Sequence, residues 1–126
     1  MINKAKEYKT AIYLRGGMLP TQEEDIFEFV SNYNHSHKNE KLHVLHKFAE
    51  YWYGFDGIAE PKDTLDGVLR DFKDEIDCII VKNFFVVSKK PQRFKRVVKL
   101  FIKNNIRFIS LDDNYDNLEE LRKVGR

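Results

Sequence analysis

A chain of 126 residues suits one domain with one core, and 42% apolar residues are enough to build it. A formal net charge of +2 gives no overall pull towards nucleic acid. The single Cys78 cannot form an intramolecular disulfide, no apolar run reaches the ~20 residues of a membrane-spanning helix, and residues 1–9 are too polar for a signal peptide, so a cytoplasmic protein is expected.

The first element is the run Ala11-Ile12-Tyr13-Leu14 leading into Arg15, Gly16 and Gly17. It reads as a buried parallel strand that ends in a charged side chain and a flexible turn. In open α/β sheets that carboxyl end is where ligands bind. Thr21 as N-cap, with Glu24 three residues on, predicts a helix over about 22–33, its apolar face made by Ile26, Phe27, Phe29, Val30 and Tyr33. A loop is expected over 32–41. Leu42, Leu45, Ala49 and Trp52 fit a helical stripe, but an α/β alternation asks for a strand, and a strand over about 42–49 is adopted. After a loop over 54–62, Leu65, Val68, Leu69 and Phe72 mark a second helix that closes near Asp74.

The run Asp77-Cys78-Ile79-Ile80-Val81 is the clearest strand and is expected at the centre of the sheet, with Cys78 as a small buried hydrophobe. Residues 83–90 read as a second loop at the carboxyl end. Pro91 opens a third helix, with Phe94, Val97, Val98, Phe101 and Ile102 at regular helical spacing. Residues 106–111 form a last strand, and 116–124 a short final helix. The expected fold is therefore α/β, a three-layer, mainly parallel sheet of four or five strands with helices on both faces.

Charge is unevenly placed. From Ser88 to Leu111 there are eight basic residues (Lys89, Lys90, Arg93, Lys95, Arg96, Lys99, Lys103, Arg107) and no acid. Such a run can contact nucleic-acid phosphates, or it can be the solvated side of an amphipathic helix. His35, His37, His43 and His46 lie close in sequence but lack a second ligand set of metal-site spacing, so no metal is expected. Gly16-Gly17 alone is too little for a phosphate-cradling loop, and no cofactor is expected. Ser88 and Ser110 are the serines nearest the turn, and neither has a histidine placed beside it by sequence. Trp52 with Tyr51, Tyr53 and Phe55 reads as core or interface.

The order of these elements resembles the catalytic domain of the serine recombinases, the resolvase/invertase group. That family's first strand ends aromatic-x-Arg-x-Ser, matched by Tyr13-Leu14-Arg15-Gly16-Gly17. Its Arg-Pro-x-Leu helix start, Leu-x-Asp helix end and Ile-Asp-apolar strand correspond to Lys62-Asp63-Thr64-Leu65, Leu69-Arg70-Asp71 and Ile76-Asp77-Cys78-Ile79-Ile80-Val81. Its Leu-Asp-Arg-Leu-Ser-Arg motif aligns with Phe84-Phe85-Val86-Val87-Ser88-Lys89, and its Ser-Leu strand end with Ser110-Leu111. The match spans roughly residues 9–116.

The resemblance implies an enzyme whose serine attacks a DNA phosphodiester while arginines hold the phosphate, without metal. Here the nucleophile position is Gly17. Arg15 is kept, Lys62 and Lys89 stand in for arginines, Val86 replaces another, and Phe85 replaces the acid beside it. Lysine keeps the charge but loses the bidentate fork. The chain is thus expected to be a pseudo-enzyme, a single resolvase-like domain over 1–126 without a separate DNA-binding domain. Weak, non-specific DNA contact is assigned to Arg15, Lys62, Lys89, Lys90, Arg93 and Arg96. Other expected partners are a recombinase or a second copy, with no membrane, in the setting of DNA recombination and mobile elements. The rival reading is an active phosphoryl-transfer or strand-exchange enzyme with rearranged residues.

Overall fold

Strand β1 (Lys6–Gly16) runs through the middle of the molecule because its alternate side chains are apolar on both faces. Ala11 and Tyr13 pack into one core cluster, Ile12 and Leu14 into another. The computed structural model describes residues 6–51 and 61–124. After β1 come α1 (Leu19–Ser36), β2 (Glu40–Tyr51), α2 (Pro61–Phe72), β3 (Cys78–Val81), α3 (Phe84–Val87), α4 (Pro91–Lys103), β4 (Arg107–Ser110), β5 (Tyr115–Asp116) and α5 (Leu118–Val124). The sheet order is β2-β1-β3-β4-β5. The first four strands are parallel and β5 pairs antiparallel with β4. The expected three-layer α/β fold is therefore present, with β3 central as its uninterrupted apolar sequence implied.

Helix α1 covers the face built on Ile12, Leu14, Cys78, Ile80 and Ile109, with Ile26, Val30 and Tyr33 as its contribution. Helices α2, α3 and α4 cover the opposite face through Leu65, Leu69, Val86, Val97 and Phe101. Cys78 is wholly buried, and burial pushes its thiol pKa up to about 12, so it packs as a neutral hydrophobe.

Four local expectations need correction. Helix α1 starts at Leu19, before Thr21, and its N-cap is Met18 in the left-handed region (φ 60°), with Pro20 in the first turn where its missing N–H costs nothing. It also runs on to Ser36, into the stretch read as loop. Residues 84–87, read as loop, form the single turn α3, whose Val86 N–H donates to the Asn83 side chain. The final helix begins two residues late because Tyr115 and Asp116 first pair with β4.

Strand β2 is real, and its ambiguity in the sequence has a cause. The register against β1 slips between Thr10 and Ala11, leaving Leu45 opposite no residue and 47% exposed. Leu42 and Val44 pack on the α1 face, whereas His46 and Phe48 meet Phe72 of α2 in tilted and edge-on ring contacts. A bulge of one residue moves the later side chains to the other face, so no single alternation spans the strand.

Candidate functional site

Register fixes which residues meet at the carboxyl edge of the sheet. Tyr13 pairs with Val81, and Val81 with Ser110. The residues just beyond them, Arg15–Gly17, Lys82–Asn83 and Leu111–Asp113, therefore share one edge. Helices α2 and α4 each follow a parallel strand and run back along it, so their N-termini lie at this same edge. That brings Lys62 in the first turn of α2, and Lys89, Lys90 and Arg93 at the start of α4, to the end of the molecule where β1 delivers Arg15. Arg96 follows one turn along α4. The side chain of Lys62 lies outside the described residues, as do Trp52, Tyr53 and Phe55.

Arg15 continues the side-chain alternation of Ala11 and Tyr13, which places it on the α2–α3–α4 face, and it is 4% exposed. Arg15, Lys89 and Arg93 all have interaction partners. The turn after Arg15 is fixed by Gln22, a residue with no signal in the sequence pattern. Its amide donates to the carbonyls of Arg15 (2.9 Å) and Gly17 (2.8 Å), and its carbonyl accepts from Arg15 N–H at 3.3 Å. Gly16 has φ 97°, a conformation that favours glycine. Gly17 differs. It is exposed, it has no positive φ, and a Cβ built on it meets nothing within 4 Å. The backbone thus requires glycine at 16, and nothing in the described surroundings requires it at 17.

The remaining positions of the resemblance are not all at the surface. Val86 is buried in the α2–α4 core, whereas Phe85 is 65% exposed. The site where an arginine would be expected is occupied by a packed aliphatic side chain. Ser88 and Ser110 are both buried; Ser88 accepts from Lys90 N–H at 3.0 Å and Ser110 donates to Asp113 at 2.7 Å. Both hydroxyls serve the local backbone and loop rather than an open site.

On the α1 face of the same edge the charge is of opposite sign. Lys82 pairs with Asp112 at 2.7 Å and Asp25 at 3.0 Å, while Asp113 accepts from Phe84 N–H at 2.7 Å. The Asp112 and Asp25 hydrogen bonds hold the Lys82 ammonium above its usual pKa, and the Lys82 bond holds Asp112 below the usual carboxylate value. The edge is therefore polar on both faces, cationic beside α2 and α4 and net acidic beside α1, where one Lys82 faces Asp25 and Asp112.

Arg107 must be removed from the basic run. It begins β4 opposite Cys78, at the amino edge, where it is 2% exposed and bonded to Asp116 at 2.6 and 3.0 Å and to the Tyr33 hydroxyl at 3.2 Å. Burial depresses its pKa, but the Asp116 and Tyr33 hydrogen bonds outweigh that and raise it overall. The histidines are dispersed: His43 faces Glu7, His46 faces Glu75, and His37 stacks on Tyr33 with centroids 3.8 Å apart. Among the described residues no group of three or more His, Cys, Asp or Glu is arranged to hold a metal ion, and no helix is long and apolar enough to cross a membrane.

The fold is similar to that of the N-terminal catalytic domain of TP901-1 integrase, with a TM-score of 0.68 and 20% identity over 93% of each chain. No family model and no curated protein matches the sequence. The likeness is one of architecture.

Proposed function

We propose that this protein is a recombinase-like module that does not cleave DNA and acts through interaction, in recombination reactions of the kind mobile elements use. Gly17 carries the reading. It stands at the solvent-exposed end of β1, where the resemblance calls for the attacking hydroxyl, and it supplies none. In a serine protease, removing the nucleophile costs about a millionfold in kcat. Here Val86, buried in the core, also takes an arginine position, so the positioning and neutralisation of a phosphate is weakened together with the attack. The rival reading, an enzyme with rearranged residues, would need a reachable substitute hydroxyl. Ser88 and Ser110 are buried and engaged.

The cationic side of the carboxyl edge remains suited to phosphate. Lys62, Lys89, Lys90, Arg93 and Arg96 form the proposed contact set, with Arg15, 4% exposed, adding charge from behind rather than direct contact, and a recombinase is the proposed protein partner. Binding of a fluorescent duplex tests the DNA part. Weak, sequence-independent affinity is expected, falling steeply with salt, and Lys89→Glu with Lys90→Glu should flatten the log–log salt slope by about 2. Undetectable binding at low salt, or a slope unchanged in the double variant, would remove DNA from the reading.

A further inference from the structure

Helix α4 carries a second feature that phosphate contact does not use. Phe94, Val98 and Ile102 form a row at four-residue spacing, and with Phe84 of α3 and Tyr115 of β5 they line a groove of about 330 Å³. The groove is open to the surface and its floor is apolar. Phe84 stacks on Phe94 with centroids 4.4 Å apart and lies 5.5 Å from Tyr115, so the walls are aromatic and held by one another. Lys95 and Lys99 line the same groove and are exposed.

We infer that this groove is a docking site for an amphipathic helix of a partner protein, one that carries acidic residues beside its apolar stripe. The apolar row spans nine residues of α4, about 12 Å or two turns, which matches the i, i+4 and i+7 anchors of a helix laid in a groove. The lysines repeat at the same four-residue interval, so carboxylates one turn apart on the incoming helix meet both. No acid occurs between Ser88 and Leu111, so the α4 side of the groove, lined by Lys95 and Lys99, is cationic, whereas Asp113 and Glu120 lie beside Phe84 and Tyr115 on the other side. That charge selects the occupant. A second copy packing α4 against α4 would set Lys95 and Lys99 against their own kind, and like charges at that distance oppose association. Nucleic acid would satisfy the lysines but leave the aromatic floor facing a polar backbone. The surface is independent of the proposed phosphate contacts, which use Lys89, Lys90, Arg93 and Arg96 of the same region.

The probe is a stapled synthetic helix of about four turns, leucine along one stripe and glutamate along the flank that meets Lys95 and Lys99, compared with a twin whose glutamates are lysines. Titrated into the isotope-labelled chain, the glutamate helix is expected to shift the amides of α4, Phe84 and Tyr115 saturably and to bind at least about tenfold more tightly than its twin. Lys95→Glu with Lys99→Glu, both at exposed positions that leave the core intact, should reverse the preference. Equal binding of the two helices, binding of neither, or a double variant that binds as the original does would overturn the inference. So would α4 shifts that grow with protein concentration alone, which would give the groove to a second copy.

Discussion

Asp116→Asn should destabilise the protein more than Arg107→Met, although both break the same ion pair. The two partners sit in different surroundings: the Arg107 side chain is 2% exposed, Asp116 37%. Asparagine at 116 keeps the shape but leaves a guanidinium buried between the Tyr8 and Tyr33 rings, 4.9 and 5.3 Å away, with Glu40 at 3.7 Å as its remaining counter-charge. Stranding a buried charge costs about 3–5 kcal/mol, and Glu40 recovers part, so about 3 kcal/mol is expected. Methionine at 107 fills the apolar path of the arginine stem. The carboxylate it leaves behind rehydrates and still accepts from Leu118 N–H at 3.0 Å. That loss is about 1–2 kcal/mol, chiefly the Tyr33 hydroxyl and imperfect packing. With a urea slope of about 2 kcal/mol per molar, midpoints should fall by about 1.5 M for Asp116→Asn and about 0.7 M for Arg107→Met. An Arg107→Met loss equal to or greater than that of Asp116→Asn would refute the view that a stranded charge dominates.

Gly16→Ala should cost about 1–2 kcal/mol in thermal or urea melts because φ 97° is hostile to a Cβ, while Gly17→Ser should stay within about 0.5 kcal/mol of the original. Stability should also depend on pH through Lys82. Asp112 has a lowered pKa in the fold, so its contribution is present above the usual carboxylate pKa and is lost as pH falls through the lower folded value. The raised Lys82 pKa gives the opposite limb, full below the usual lysine value and lost as pH rises through the folded one. Lys82→Met should therefore differ from the original between about pH 5 and 9 and converge with it at both extremes, with the gap shrinking in high salt.

How much of this was legible in the sequence depended on how local each determinant is. Strands β1 and β3 announce themselves because both their faces are buried and nothing interrupts the apolar run. Helix α4 does so through an unbroken helical stripe. Strand β2 concealed itself because the slip opposite Thr10 and Ala11 exchanges its faces halfway along. A one-turn helix such as α3 is too short to carry periodicity, and the α1 start depends on a left-handed Met18 that composition does not signal. At the candidate site, Arg15 and Gly17 were visible from their place at a strand end. Gln22 and Lys82 gave no signal and Arg107 was grouped with the basic run, because what defines them lies elsewhere in the chain. Gln22 acts on backbone five and seven residues earlier, Lys82 on carboxylates from α1 and the loop after β4, and Arg107 on an aspartate in the two-residue strand that also escaped notice. Charge counted along the chain placed Arg107 with Lys89; the sheet puts them at opposite edges.

The claim that Gly17 leaves this scaffold without an attacking oxygen is tested by incubating the chain with supercoiled plasmid, quenching in detergent and looking for protein joined covalently to DNA. The account predicts intact supercoils and no joined protein at any protein concentration. A detergent-resistant protein–DNA link, with nicked or linear plasmid beside it, would contradict it.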